Sequence, residues 1–198
     1  MNPSDARSEH PSKSDPESQV PRILLTQRLV LRPFADSDAE VVEQLLNDKE
    51  IASNTRSIQY PYPPGDALKW IARHQVMWEN GNAYNFSIRL HASDELVGAI
   101  GLESNKVDHN AELGYWLGRK FWNQGFTTEA ARRVIEFGFE TVGFYRITAH
   151  HLSRNPASGR VLEKIGMTKE GLLRGHVRKW GVFEDIFLYG MLANDPRP

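Results

Sequence analysis

Between Tyr84 and Leu117 apolar residues recur at every second position in runs separated by polar turns. A period of two admits little besides an antiparallel sheet. Phe86, Ile88 and Leu90 make one run; the polar turn His91 to Glu95 intervenes, and Leu96 to Leu102 alternates again. A second polar turn, Lys106 to Asn110, leads into Ala111, Leu113, Tyr115 and Leu117. These segments predict a hairpin extended by a third strand, on which Glu112, Gly114 and Trp116 share the face opposite the apolar one.

Around this meander the pattern changes. Leu29, Leu31 and Pro33 alternate with Val30, Arg32 and Phe34 in a short strand-like run, and a helix capped by Asp36 or Ser37 follows, with Val41, Val42, Leu45 and Leu46 on one stripe. Tyr60 to Gly65 is a loop, because its prolines fix the backbone and withdraw donors. Asp66 opens a second helix through Trp70, Ile71, His74, Met77 and Trp78, ended by Asn80-Gly81. Beyond the meander, Gly118 to Thr128 forms a loop ahead of a helix with Ala131, Val134, Ile135, Gly138 and Val142 on one face. Arg146 to His151 reads as a strand, Asn155 to Lys164 as a helix ended by Gly166, and Thr168 to Val177 and Phe183 to Leu192 as closing strands. This order predicts one α+β domain, residues 21–198, around a mixed sheet.

Composition removes whole classes of chemistry. The 198 residues contain no cysteine, which excludes thiolate metal sites, iron–sulfur clusters and a cysteine nucleophile. With 24 basic against 25 acidic residues the formal charge is −1, so no global field draws the chain to nucleic acid. No apolar run approaches the roughly 20 residues that span a bilayer, and the N-terminus lacks a secretory pattern, which makes the cytoplasm the expected location. Residues 1–20 have only Met1, Ala6 and Val20 as apolar members and read as a disordered tail.

A strand, a tight loop with Gly125 and a helix aim backbone N–H groups and the positive end of a helix dipole at one spot, an arrangement suited to phosphate. The loop is neither a Walker loop nor a dinucleotide fingerprint. His150 and His151 are adjacent on a strand, so their side chains point to opposite faces; no metal site is expected. Trp70, Trp78 and Trp122 read as core.

Three segments carry a family resemblance: Glu112-Leu-Gly-Tyr-Trp-Leu117, Trp122-Asn-Gln-Gly-Phe-Thr-Thr-Glu-Ala-Ala131, and Asn155-Pro-Ala-Ser-Gly-Arg-Val-Leu-Glu-Lys-Ile-Gly-Met167. In this order they resemble the GNAT superfamily of acyl-CoA-dependent N-acetyltransferases, and within it the RimJ/RimL type, which acetylates ribosomal-protein N-termini. Thr26 to Pro33, the Tyr-Pro segment and Gly181 to Asp185 with Tyr189 also match, so the resemblance covers residues 22–192. It implies a GNAT fold with a mixed, mostly antiparallel sheet flanked by helices, and acetyl-CoA as co-substrate. It further implies that Gln124, Gly125, Phe126, Thr127 and Thr128 hold the CoA pyrophosphate, that Trp116 and Leu117 pair through backbone with the pantetheine arm, that Asn155 reaches that arm, and that Ser158 lies near the sulfur. Thr127 and Asn123 stand where the branch usually has smaller residues.

Acetyl transfer to an amine needs a neutral nucleophile, a stabilised oxyanion and a proton for the departing thiolate. Glu112, the one acid on its strand, is the candidate for the amine proton. A backbone N–H near Trp116 or Leu117 is the candidate oxyanion donor, and Ser158, with Tyr189 as rival, the proton donor to sulfur. Deprotonating an α-amine costs about 3.3 kcal/mol less than deprotonating lysine. This favours an α-amine or another weakly basic amine, and the RimJ/RimL resemblance implies a protein N-terminus, such as that of a ribosomal protein, with small-molecule amines and a non-catalytic acyl-CoA-binding module as alternatives. An edge strand near the C-terminus permits a monomer or a homodimer.

Overall fold

The computed structural model describes residues 20–198. The tail expected over 1–20 thus lies, apart from Val20, outside the described residues.

Eight strands form one sheet in the order β1-β2-β3-β4-β5-β6-β8-β7. β1 (Leu24–Leu25) and β2 (Leu29–Arg32) open the chain, and the expected meander follows as β3 (Ala83–Leu90), β4 (Leu96–Asn105) and β5 (Asn110–Leu117). β6 (Arg146–Leu152) lies beside β5, and β7 (Thr168–Lys179) and β8 (Val182–Leu192) close the sheet with β7 at its edge. Every neighbouring pair is antiparallel except β5 with β6. A parallel pair needs a crossover, here α5 (Phe126–Phe137) and a turn of π-helix, Gly138–Val142.

α5 packs because its apolar residues return every three or four positions: Phe126, Ala130, Val134 and Phe137 are buried together with Ala131 and Ile135. They meet the inward residues of the meander, Phe86, Ile100, Leu102 and Leu113, in the main core. The π-turn sits where Gly138 approaches the sheet, since a Cβ there would lie 2.7 Å from Leu102 Cδ1 and 2.9 Å from Ile147 Cδ1. The expected helical face therefore stops being α-helical at Gly138. On the opposite face α1 (Ala39–Leu46), α2 (Lys49–Asn54) and α3 (Asp66–Ala72) bury Val42, Leu46, Ile51, Ala67 and Ile71 against Leu96.

Three elements differ from the expected order, the first being the two-residue β1. α2 was not expected; Asp48 starts it by accepting from the N–H groups of Glu50 (2.7 Å) and Ile51 (3.4 Å). The helix expected from Asp66 to Trp78 divides at Arg73 into α3 and α4 (His74–Glu79). No described helix is long and apolar enough to cross a membrane.

At that division His74 is buried against Trp70 and Phe34, with ring centroids 4.2 and 5.5 Å away, and neither ring nitrogen has a partner among the described residues. Burial, assisted by the Arg73 charge, lowers its pKa from 6.5 to about 4. The unfolded chain therefore takes up a proton at this site as pH falls below about 6.5, while the folded chain resists until about 4. Stability falls across that window, by about 1.4 kcal/mol per pH unit at most. His74→Phe, which keeps an aromatic ring in the cluster, removes this slope: urea unfolding at pH 7 and pH 4.5 is expected to show the variant gaining on the wild type as pH falls. A pH-independent difference between the two contradicts the assignment.

Candidate active site

The β5–β6 ladder is short. Only Asn110↔Arg146, Ala111↔Ile147 and Glu112↔Thr148 are paired, although the strands have eight and seven residues. Beyond Glu112 the strands part. The register between β4 and β5 is regular, and the Gly118 N–H donates to Val97 O at 2.8 Å. Alternation then turns the amides of Trp116 and Gly114 to β4 and those of Tyr115 and Leu117 into the gap. Of the two residues expected to offer backbone there, Leu117 does and Trp116 does not; Trp116 instead turns its side chain to the α1–α3 side. The Leu117 carbonyl accepts from Trp122 Nε1 at 2.9 Å.

This gap is the spine of a cavity of about 1160 Å³ running from Ile58, Tyr62 and Trp70 across β5 to the start of α5 and to α6 (Pro156–Lys164). The two sides of β5 line different halves of it. Tyr115 points to α6, its hydroxyl 2.7 Å from Ser158 Oγ, and burial pushes its pKa up to about 12. Tyr115 therefore stays protonated and can donate to Ser158, leaving the serine proton free for a third atom. Asn155 caps α6 by accepting from Ser158 N–H at 3.3 Å. Tyr189 is buried, donates to Glu163 Oε1 at 3.3 Å and does not line the cavity.

On the other side of β5, Glu112 Oε1 lies 2.8 Å from His150 Nδ1. That hydrogen bond, aided by the charges of His150 and Arg56 and opposed by burial, holds the Glu112 carboxyl below the usual carboxylate range. His150 and His151 do point to opposite faces: His151 packs by Phe187 and Tyr189, donates Nδ1–H to Leu152 O at 2.8 Å, and aims Nε2 beneath Gly159.

At the start of α5, Gly125 has φ +80° and Asn123 has φ +59°. Both positions are left-handed, which suits glycine at Gly125 and explains why asparagine, the best tolerated alternative, stands at Asn123. Gly125, Phe126, Thr127 and Thr128 line the cavity and Gln124 does not. Gln124 is used from behind: its carbonyl accepts from Arg28 Nη1 at 3.0 Å. Arg28 in turn is held by Glu129, through N–H to Oε1 at 2.8 Å and Nε to Oε2 at 2.6 Å, and Thr26 donates to the same carboxylate at 2.6 Å. With its carbonyl turned outward at Gln124, the loop presents donors to the cavity. Of the flanking cations, Arg119, Lys120 and Arg133 face carboxylates and Arg132 donates to Lys164 O. Trp78 is core, whereas Trp70 and Trp122 line the cavity.

The far wall is tied down by two cations. Arg154 donates to Ser53 O and to Glu184 Oε1 (2.9 Å), and buried Lys179 donates to the carbonyls of Ile58 and Arg56. His150, Tyr115, Arg28, Arg154 and Lys179 were not among the expected site residues. Of these, Arg28 and Tyr115 fall in segments that carried a signal, Thr26 to Pro33 and Glu112 to Leu117.

Sequence comparison agrees with this geometry. The profile of the acetyltransferase (GNAT) domain matches residues 28–168. An uncharacterized N-acetyltransferase, p20, of Bacillus licheniformis is 31% identical over 175 residues, covering 87% of this chain and 97% of p20. The [ribosomal protein uS5]-alanine N-acetyltransferase of Escherichia coli is 29% identical over 192 residues, covering 91% and 96%. A structure of RimL, a ribosomal L7/L12 α-N-protein acetyltransferase in complex with coenzyme A, superimposes with a TM-score of 0.79 at 20% identity, covering 86% and 97%. The chain belongs to the GNAT family and is an N-acetyltransferase with the α+β fold of that family.

Proposed function

We propose that the protein transfers the acetyl group of acetyl-CoA to a protein N-terminal α-amine, as RimJ/RimL-type enzymes do. The observation that carries the reading is the parting of β5 and β6 with the Tyr115 and Leu117 amides turned into the gap. An extended arm bearing amide groups can take the place of the missing strand there. The residues present fit CoA at both ends of this gap. Gly125 to Thr128, with the N-terminus of α5, offer N–H donors for a pyrophosphate, and Asn155 and Ser158 lie on α6 opposite Tyr115.

In this arrangement the Leu117 N–H faces the thioester oxygen and stabilises the charge that develops on it as the C–N bond forms. Glu112 lies on the acceptor side of β5 with His150 beside it, and the amine proton leaves on that side of the strand. Ser158, polarised by Tyr115, supplies a proton to the sulfur as the C–S bond breaks. Tyr189 is the poorer donor: burial raises its pKa and its hydroxyl is engaged with Glu163. Preference for an α-amine follows from its lower pKa than that of lysine, and likeness to the uS5-alanine enzyme supports a protein acceptor of the ribosomal kind.

Release of free CoA from acetyl-CoA, measured over peptides of varied N-terminal residue, tests this. Peptides with a free α-amine are expected to turn over and their Nα-blocked forms not to. Glu112→Gln is expected to lose about 100-fold or more in turnover while keeping its CoA affinity. Turnover confined to lysine side chains, polyamines or other small amines overturns the acceptor assignment. CoA binding without turnover on any amine indicates a binding module instead.

The clamp behind the loop makes a separate prediction. Arg28→Ala frees the Gln124 carbonyl to face the phosphates, so KM for acetyl-CoA is expected to rise about tenfold, the scale of one charge-assisted hydrogen bond, with kcat nearly unchanged. An unchanged KM contradicts the role given to Arg28.

A further inference from the structure

The acceptor side of the cavity holds a group for which the expected mechanism has no use. We propose that His150, rather than Glu112, is the atom-level acceptor of the amine proton, and that Glu112 is its positioning residue. The inference rests on the acetyltransferase reading above and deepens it.

Geometry separates the two roles. Glu112 sits at the last paired position of β5, opposite Thr148, with Oε1 already committed to His150 Nδ1 at 2.8 Å. A carboxylate oxygen only accepts, so Nδ1 carries the hydrogen of that bond and the lone pair of neutral His150 is on Nε2. His150 lies two residues beyond Thr148 on the same face, past the point where the strands part. It lines the cavity with its side chain 18% exposed, and it has no other hydrogen bond among the described residues. A carboxylate behind, an imidazole in front and an open cavity beyond it are the parts of an oriented general base.

The surroundings support the same division. From β5 the imidazole faces Glu112, with Glu103 the neighbour of Glu112 on β4; Arg56 comes from the loop after α2; and His151, next in sequence, is turned away toward Tyr189. A carboxylate drawn down by a hydrogen bond and by a nearby guanidinium gives up base strength, and even in water an imidazole holds a proton roughly 100-fold better than a carboxylate does. Glu112 as an anion gains a different use, offsetting the charge His150 acquires.

The protons balance as follows. The acceptor ammonium gives one proton to His150 Nε2, while Nδ1–H stays on Glu112. The neutral nitrogen then bonds to the thioester carbon, whose π pair moves to oxygen. When that pair returns and the C–S bond breaks, the sulfur takes the Ser158 hydroxyl proton, and the second proton leaving nitrogen replaces it. One proton per turnover leaves His150 for solvent.

Chemical rescue tests the assignment. His150→Ala is to be compared with wild type on the peptide that wild type acetylates best, with and without added imidazole, after circular dichroism and CoA binding have verified its fold; His150→Gln serves if the alanine variant is unstable. A kcat loss of about 100-fold or more with KM for acetyl-CoA within about twofold, and recovery of at least about tenfold of the lost kcat with imidazole, is the expected result. For His150→Gln, where the cavity is filled, the same loss without recovery is expected. His150→Ala activity within about threefold of wild type overturns the proposal. So does a loss in His150→Ala that imidazole leaves untouched, which assigns His150 to holding Glu112. Failure of the wild type to turn over any amine would instead remove the acetyl-transfer reading itself, and this inference with it.

Discussion

The chemistry available to this protein depends on one structural constraint: β5 and β6 pair for three residue pairs and then separate. Backbone amides buried in a sheet need partners. Where a strand loses its neighbour at the centre of a sheet, its free N–H groups are left for something else to use. Tyr115 and Leu117 are in that position. The remaining strands are held in ordinary antiparallel ladders, so the opening is confined to one place and has one shape.

The alternation of side chains along β5 then divides the cavity into two differently lined halves. Leu113, Tyr115 and Leu117 face the core and α6, where Ser158 and the start of α5 stand. Glu112, Gly114 and Trp116 face the other way, toward His150 and the α1–α3 side. Gly114 between Glu112 and Trp116 has open space where a Cβ would project, so this face of the strand is unobstructed at its middle. Loops on both sides are secured by charge: Arg28 and Glu129 behind the loop that leads into α5, Arg154 and Lys179 behind the loop that follows α2. These bonds end largely on backbone carbonyls, which fixes loop conformation whatever the loop side chains are.

Much of the fold was legible in the sequence, and the reason is length. Strands of seven to twelve residues and the twelve-residue α5 repeat their pattern often enough to be read. The two residues of β1 and the six of α2 do not complete a period, and the break at Arg73 follows from packing of His74 rather than from any local breaker. In the candidate site, Glu112, Ser158 and the Gly125 loop fall on motifs and line the cavity. Tyr115 was read as one more apolar residue of its strand, since its hydroxyl matters only once α6 brings Ser158 within 2.7 Å. His150 was read chiefly against His151, its neighbour in sequence. Its actual partner, Glu112, is set by the register of a parallel ladder across a crossover, which no local pattern encodes. Tyr189, suggested by its motif, is buried away from the cavity with its hydroxyl engaged by Glu163.

A crystal structure with acetyl-CoA and a substrate peptide bound tests the central claim most directly. The account predicts the arm of CoA lying between β5 and β6 as a surrogate strand, hydrogen-bonded to Tyr115 and Leu117, with the thioester oxygen on the Leu117 N–H and the peptide α-amine on the Glu112 side of the strand. An arm bound elsewhere, or an amine entering from the α6 side, would contradict it.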